Sequence, residues 1–211
     1  MARLPQGILG GVLGKVGNVV GSSWKGIPIL KSRPLSVANP RTTKQITQRN
    51  KMTNIVAFAQ PILSGIIKPL NDRFAQQASG YNDFVSRNIH LFAVATPSPA
   101  GDLKISVGKM SAVNPTNVQV NDGSVDVSID FSKTLPDAFA SATDLAYAVV
   151  YNTTQKTFGV SSGISTRDDE IIDVVLSAPA ATNDDLYVWL AFRRVDGTVV
   201  SNTGYFSYVV S

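Results

Sequence analysis

Apolar residues recur with period two through the second half of the chain and with a helical period only in a shorter stretch before it. Residues 103–107, 117–120, 124–131, 145–151, 156–160, 171–176, 186–193 and 199–210 alternate apolar with polar or smaller side chains. Turn formers such as Asn121-Asp122-Gly123 and Asp196-Gly197 separate them, which predicts a run of short strands. In the last pair, Leu186, Val188, Leu190 and Phe192 alternate with Tyr187, Trp189, Ala191 and Arg193, and Asp196-Gly197 turns the chain into Val199.

Before residue 97 the period lengthens. Thr42 with Gln45 has the form of a capping box, and Ile46, Met52, Ile55, Val56 and Ala59 follow at helical spacing, predicting a helix over 43–59. Pro61 and Pro69 interrupt Ile62, Leu63, Ile66, Ile67, Leu70 and Phe74, so a kinked or divided second helix is expected, ending near Gly80. A third helix is expected over 81–95 with Phe84, Ile89, Leu91 and Phe92 buried, until Thr96-Pro97-Ser98-Pro99 stops it.

The first forty residues fit neither pattern. Gly7, Gly10, Gly11, Gly14, Gly17, Gly21 and Gly26 are interleaved with Ile8, Leu9, Val12, Leu13, Val16, Val19, Val20 and Trp24. Positions 8, 12, 16 and 19 or 20 trace a helix face, yet each opposing glycine costs ~1 kcal/mol relative to Ala in a helix interior. The preferred reading is a hairpin of 16–20 and 23–30 about a Gly21-Ser22 turn, with Trp24 as anchor and Pro28 at an edge. Residues 32–42, with two prolines, read as an extended linker. A glycine-rich segment of this kind has apolar surface to bury but too much backbone entropy to order alone, so it is expected to find its structure on a partner, as an assembly arm. The architecture predicted is α+β. It comprises a basic Gly-rich arm or hairpin with its linker (1–42), a small helical module (43–96), and a C-terminal immunoglobulin- or fibronectin-like β-sandwich (97–211).

Charge deepens the division. No Asp or Glu precedes Asp72, while ten Lys and Arg do, so residues 1–71 carry +10 and the remaining 140 carry −6. A basic front and an acidic rear favour head-to-tail self-association or docking on an acidic partner; nucleic acid is the alternative partner. Charged residues make up 16% of the chain, against a typical ~25%, which suggests that other subunits cover part of the surface. The residues expected at an assembly interface are Gly14, Lys15, Val16, Gly17, Val20, Trp24, Lys25 and Arg33. Those that would contact nucleic acid are Lys31, Arg41, Lys44, Arg49 and Lys51.

The search for chemistry returns little. His90 is the single histidine and there is no cysteine, so neither a zinc-ligand set nor thiol chemistry is available, and folding in a reducing cytosol is compatible. Asp168-Asp169-Glu170 and Asp184-Asp185 lack EF-hand spacing and read as solvated loops. Gly14-Lys15 fails the phosphate-loop pattern, because position 9 is Leu and position 16 is Val. No nucleophile elbow is expected. Gly7 to Gly21 is broken by glycines and Lys15 and is shorter than the ~20 residues of a membrane span, so a soluble, non-exported, membrane-free protein is expected. The expectation is no enzyme, no cofactor and no metal.

Several blocks together resemble a known family. They are Gly-Ile-Leu-Gly-Gly (7–11), Gly-Lys-Val-Gly-Asn-Val-Val-Gly-Ser-Ser-Trp-Lys-Gly (14–26) and a basic, proline-containing segment leading to Gln48-Arg49-Asn50-Lys51. Tyr81-Asn82, Val149-Val150-Tyr151-Asn152 and Val200-Ser201-Asn202-Thr203-Gly204-Tyr205 complete the pattern. The family is uncharacterised and widespread in Bacteroidota and their phages and prophages. Asn50-Lys51-Met52 departs from it, standing where relatives usually carry a small residue, a Lys and an aromatic. The resemblance implies a setting more than a mechanism: a virion structural protein of a tailed phage, as capsid auxiliary, head-tail connector or tail subunit. Such a protein would be made in the host cytoplasm, with other copies of itself and other virion proteins as partners. A DNA-packaging protein acting through the basic N-terminus, or a cell-surface carbohydrate binder acting through loops 166–170 and 182–185, are the alternatives.

Overall fold

The computed structural model describes residues 2, 3, 12–34, 36, 39–75 and 78–210, the backbone alone at 2, 3 and 162. The chain divides into two compact units, 1–42 and 43–211.

In the first unit, β1 (Ala2–Arg3), β2 (Gly14–Val16), β3 (Val19–Trp24) and β4 (Ile27–Ser32) form an antiparallel sheet of order β1-β4-β3-β2. The strand reading holds, but with different turns. The chain reverses at Gly17-Asn18 and Lys25-Gly26, while Gly21-Ser22 lies inside β3. Both residues of the second turn have positive φ (49° and 78°), the type I′ geometry that matches the twist of paired strands. Gly21 is needed for close packing instead, because a Cβ there would collide with the Val12 carbonyl. Pro28 is not on an edge strand, since β4 is flanked by β3 and by β1, which pairs at Ile29 and Leu30. The Gly-Ile-Leu-Gly-Gly block at 7–11 lies outside the described residues.

The second unit opens with α1 (Thr43–Ile62). The expected break at Pro61 does not occur, as the helical run continues through a π-helical turn, Leu63–Ile67, into α2 (Lys68–Asn71). Proline removes one backbone donor. The next turn widens, with the Lys68 N–H donating to the Leu63 carbonyl, a local device that keeps the run going. Pro69 sits in the first turn of α2, where its N–H is not required. The last helix, α3 (Gly80–Asn88), is capped by Ser79 Oγ and ends in a 3-10 turn, Ile89–Leu91. It therefore stops short of residue 95: Phe92 leaves helical geometry at φ −99°, ψ 43°.

Seven strands follow: β5 (Pro115–Val120), β6 (Asp126–Phe131), β7 (Leu145–Asn152), β8 (Thr157–Thr166), β9 (Ile171–Val175), β10 (Asp185–Arg193) and β11 (Gly204–Val209). They make two antiparallel sheets, β11-β10-β7-β8 and β5-β6-β9. Val118, Val127 and Ile129 meet Ala148, Val150, Leu186, Val188 and Leu190 in the core between them. On the other face of the four-stranded sheet, Tyr151, Val149, Trp189 and Ala191 share a second core with Ile55, Phe58, Ile62, Phe84 and Phe92 of the helical stretch. The order is thus helices, four-stranded sheet, three-stranded sheet. The central strands β7 and β10 are buried on both faces.

Three expected strands differ. The strand expected over 156–160 runs on to Thr166 as β8. Residues 103–107 do not join a sheet, because their backbone polar groups are taken elsewhere. Asn88 pairs with both the N–H and the carbonyl of Lys104, Asn71 donates to the Ile105 carbonyl, and Thr203 Oγ1 accepts from Ser106. Leu103 and Ile105 are nonetheless fully buried. The predicted turn forms at Asp196-Gly197, the Gly197 N–H donating to the Arg194 carbonyl, but only isolated bridges, Arg193–Val200 and Met110–Ser201, follow it and continuous pairing resumes at Gly204. The final strand is shorter than 199–210 accordingly.

Candidate functional site

Alternation along β2, β3 and β4 sorts the predicted interface residues onto two faces. The register sets Lys15, Val20 and Lys31 abreast, then Ser22 beside Ile29, then Trp24 beside Ile27. Lys15, Lys31, Val20 and Trp24 therefore share one face, joined by Ile27 and Ile29. Gly14 and Val16 point to the other, so Val16 is not a companion anchor of Val20 and Trp24.

The shared face is open. The Trp24 side chain is 61% exposed, with Lys25 Nζ 5.2 Å from its ring centre. A hollow of about 470 Å³ is lined by Ser22, Ser23, Trp24, Ile29 and Lys31. Gly17 forms the β2–β3 turn, and Arg33 is tied to it by an N–H donated to the Asn18 carbonyl at 2.7 Å. Ile27 and Ile29 were missing from the predicted interface, although the period-two spacing of Ile27, Ile29 and Lys31 carries the signal.

The predicted nucleic-acid residues are divided between the two units. Lys31 belongs to the Trp24 face, Arg41 precedes α1, and Lys44, Arg49 and Lys51 lie on α1. Every residue from Thr43 to Asn50 is exposed, Ile46 included. Lys44 and Lys51 are two turns apart and face the same way, whereas Arg49 joins Met52, Thr53, Val56 and Gln60 along another side.

The acidic loops are occupied internally. Asp184 is buried and accepts from the Ala181 N–H, Asn152 and Gln155 at 2.7–2.9 Å. These bonds, the Ala181 N–H foremost, hold its carboxyl below the ordinary aspartate range. It is not part of a solvated loop. Asp169 closes a capping box with Thr166, whose N–H and hydroxyl likewise lower its pKa. Glu170 pairs with Lys133 at 3.4 Å. Among the described residues no three His, Cys, Asp or Glu come together as metal ligands.

Sequence reasoning missed a buried ion pair. Arg167 and Asp144 are fully buried with Nε 3.6 Å from Oδ2. The guanidinium lies 3.9 Å from the centre of the Phe192 ring and donates to Met110 Sδ. Burial pulls the Arg167 pKa down and Asp144 opposes that.

The expectation of no nucleophile elbow needs correction at the level of letters. Gly159-Val160-Ser161-Ser162-Gly163 has the Gly-x-Ser-x-Gly pattern. It lies inside strand β8, however, with Ser161 buried and paired to Ala148, and not on the strand-to-helix turn that exposes such a serine. His90 is exposed in the 3-10 turn after α3. No helix among the described residues is long and apolar enough to cross a membrane.

A sequence profile described as "Family of unknown function (DUF6266)" matches residues 11–207. The match takes in β2, β3 and β4 of the N-terminal sheet, the helices, β5 to β10 and the first residues of β11, and the chain belongs to this family. No curated protein matches the chain.

Proposed function

We propose that this chain is a non-enzymatic assembly protein, a virion structural protein of a tailed phage. It serves as a capsid auxiliary or as a head-tail connector or tail subunit, is made in the host cytoplasm, and joins its particle through the N-terminal sheet. The observation that carries the assembly reading is the open face of that sheet. A largely exposed indole stands on a surface of Val20, Ile27 and Ile29, beside Lys15, Lys25 and Lys31. Exposed aromatics on a compact apolar patch are characteristic interface anchors. The particle setting rests on the sequence resemblance.

The second unit serves in this reading as a rigid immunoglobulin-like body. Its first, second and fifth strands share one sheet and its third, sixth and seventh the other. That division resembles the immunoglobulin one, with the fourth strand moved beside the third, and supports the reading. Quantitative mass spectrometry of purified particles tests the proposal. Hundreds of copies of the chain per particle mark a lattice or tail-tube subunit, and a single ring's worth marks a connector. Full-length Trp24→Ala is expected to be depleted from particles; absence of the wild-type chain overturns the reading.

A second reading, DNA packaging, is favoured by exposed Lys44 and half-buried Lys51, two turns apart on one side of α1. It requires DNA retention at low salt that falls steeply as salt is raised. Carbohydrate binding by loops 166–170 and 182–185 draws less support, because Asp169 and Asp184 are already hydrogen-bonded within the protein.

A further inference from the structure

The basic Trp24 face has a counterpart in the same chain. The outer face of the three-stranded sheet carries Asn117 and Gln119 from β5, Asp126, Ser128 and Asp130 from β6, and Ile171, Asp173 and Val175 from β9, set side by side by the register. No Lys or Arg occurs between Met110 and Ser132 or between Asp168 and Phe192, so this face is uniformly acidic. It is also not fully polar: Val175 is 62% and Ile171 40% exposed. Its polar groups are preorganised, with Asp130 accepting from Asn117 and Gln119 and Asp173 from Ser128 at 2.6–3.2 Å. A sheet face with three carboxylates and the exposed side chains of Ile171 and Val175 matches one with three ammonium groups, an exposed Trp24 and half-buried Val20, Ile27 and Ile29.

We propose that the Trp24 face of one copy docks on the outer β5-β6-β9 face of a second copy. The occupant of the open N-terminal surface is thus this chain itself. The inference rests on the reading of the N-terminal sheet as an assembly surface and supplies its acceptor. Because the two surfaces differ, the contact is heterologous: every copy keeps one donor and one acceptor face free, and repetition gives a closed ring or a chain. Complementary charge sets orientation and encounter rate, while Trp24, Ile171 and Val175 supply the desolvated centre.

The test is sedimentation velocity of the full-length protein over a range of concentrations at low and high salt. The wild type is expected to self-associate, less so at high salt. Lys15→Glu/Lys31→Glu and Asp126→Lys/Asp173→Lys are each expected to weaken association about tenfold or more, and all four changes together to restore it. Asp126→Asn/Asp173→Asn, which keeps the hydrogen-bond acceptors, replaces the lysine pair should that pair misfold, with a smaller loss expected. A wild type that stays monomeric throughout, or association unmoved by changes at Asp126 and Asp173, overturns the proposal. Should the Lys15/Lys31 variant alone lose assembly and the Asp126/Asp173 variant keep it, the N-terminal reading stands and this acceptor face is wrong.

Discussion

Arg167 and Asp144 form a buried charge pair whose geometry is only partly satisfied. Asp144 Oδ2 accepts from the Ser141 N–H at 2.7 Å, and Arg167 is supported by Phe192 and Met110, but Asp144 Oδ1 and Arg167 Nη1 have no protein partner. A pair of this kind contributes little net stability, yet either charge becomes costly once the other is gone. Asp144→Ala is therefore expected to destabilise the fold by about 3–5 kcal/mol in urea unfolding. Adding Arg167→Met to Asp144→Asn should recover most of the loss seen with Asp144→Asn alone, because the buried guanidinium then disappears and the Ser141 N–H keeps its acceptor. Purely additive losses would show that the two side chains are not coupled. Nothing in the sequence marks the pair: Arg167 sits in an acidic loop, Asp144 lies 23 positions earlier between Thr143 and Leu145, and only the closing of the fold brings them together.

Among the elements, legibility follows the range of the interaction that forms them. Strands β5, β6 and β9 were readable because one covered face per strand leaves a period-two trace. The length of β10 was readable too, but its second apolar set, Tyr187, Trp189 and Ala191, also reported that both faces are covered, and the helices are what cover the second. The segment 103–107 carries the same alternation and is no strand, since Asn71 and Asn88 from the helices capture its backbone. Helix ends and turns were displaced for the same reason. Proline is a local signal, while continuation past Pro61 depends on the π-helical turn and on Ile62, Ile66 and Ile67 being fully buried. Phe58 is the side chain that ties the helical layer to the sheet: its ring lies 5.0–5.9 Å from those of Phe92, Tyr151, Phe158 and Trp189. Phe58→Ala is expected to cost about 3–5 kcal/mol, a large part of the 5–15 kcal/mol that typically holds a domain together. Loss of the near-ultraviolet circular dichroism of Trp189 in step with the unfolding midpoint would confirm that this cluster is one cooperative unit. A variant as stable as wild type would refute it.

For the whole molecule, the separation between the two units follows from where the cores draw their residues. Among the described residues the buried clusters begin at Ile55 and run to Val210, and none includes an earlier one. The helix that starts the second unit spends its first turns, Thr43 to Asn50, in solvent. The first unit holds the Trp24 face and, within residues 1–42, only basic charges. In the proposed reading stability and assembly belong to different parts of the chain, and removing one should leave the other measurable. A chain of residues 43–211 is expected to keep a single cooperative thermal transition, with a midpoint within a few degrees of the full-length protein. For a domain of this size 1 kcal/mol corresponds to roughly 2–4 °C. The same truncation should abolish salt-sensitive self-association and incorporation into particles. A midpoint lowered by more than about 10 °C, or loss of cooperativity, would mean that the N-terminal sheet belongs to the folding unit. Retained incorporation would instead move the assembly surface into the second unit, where the exposed stripe of Arg49, Met52, Val56 and Gln60 on α1 is the next surface to mutate.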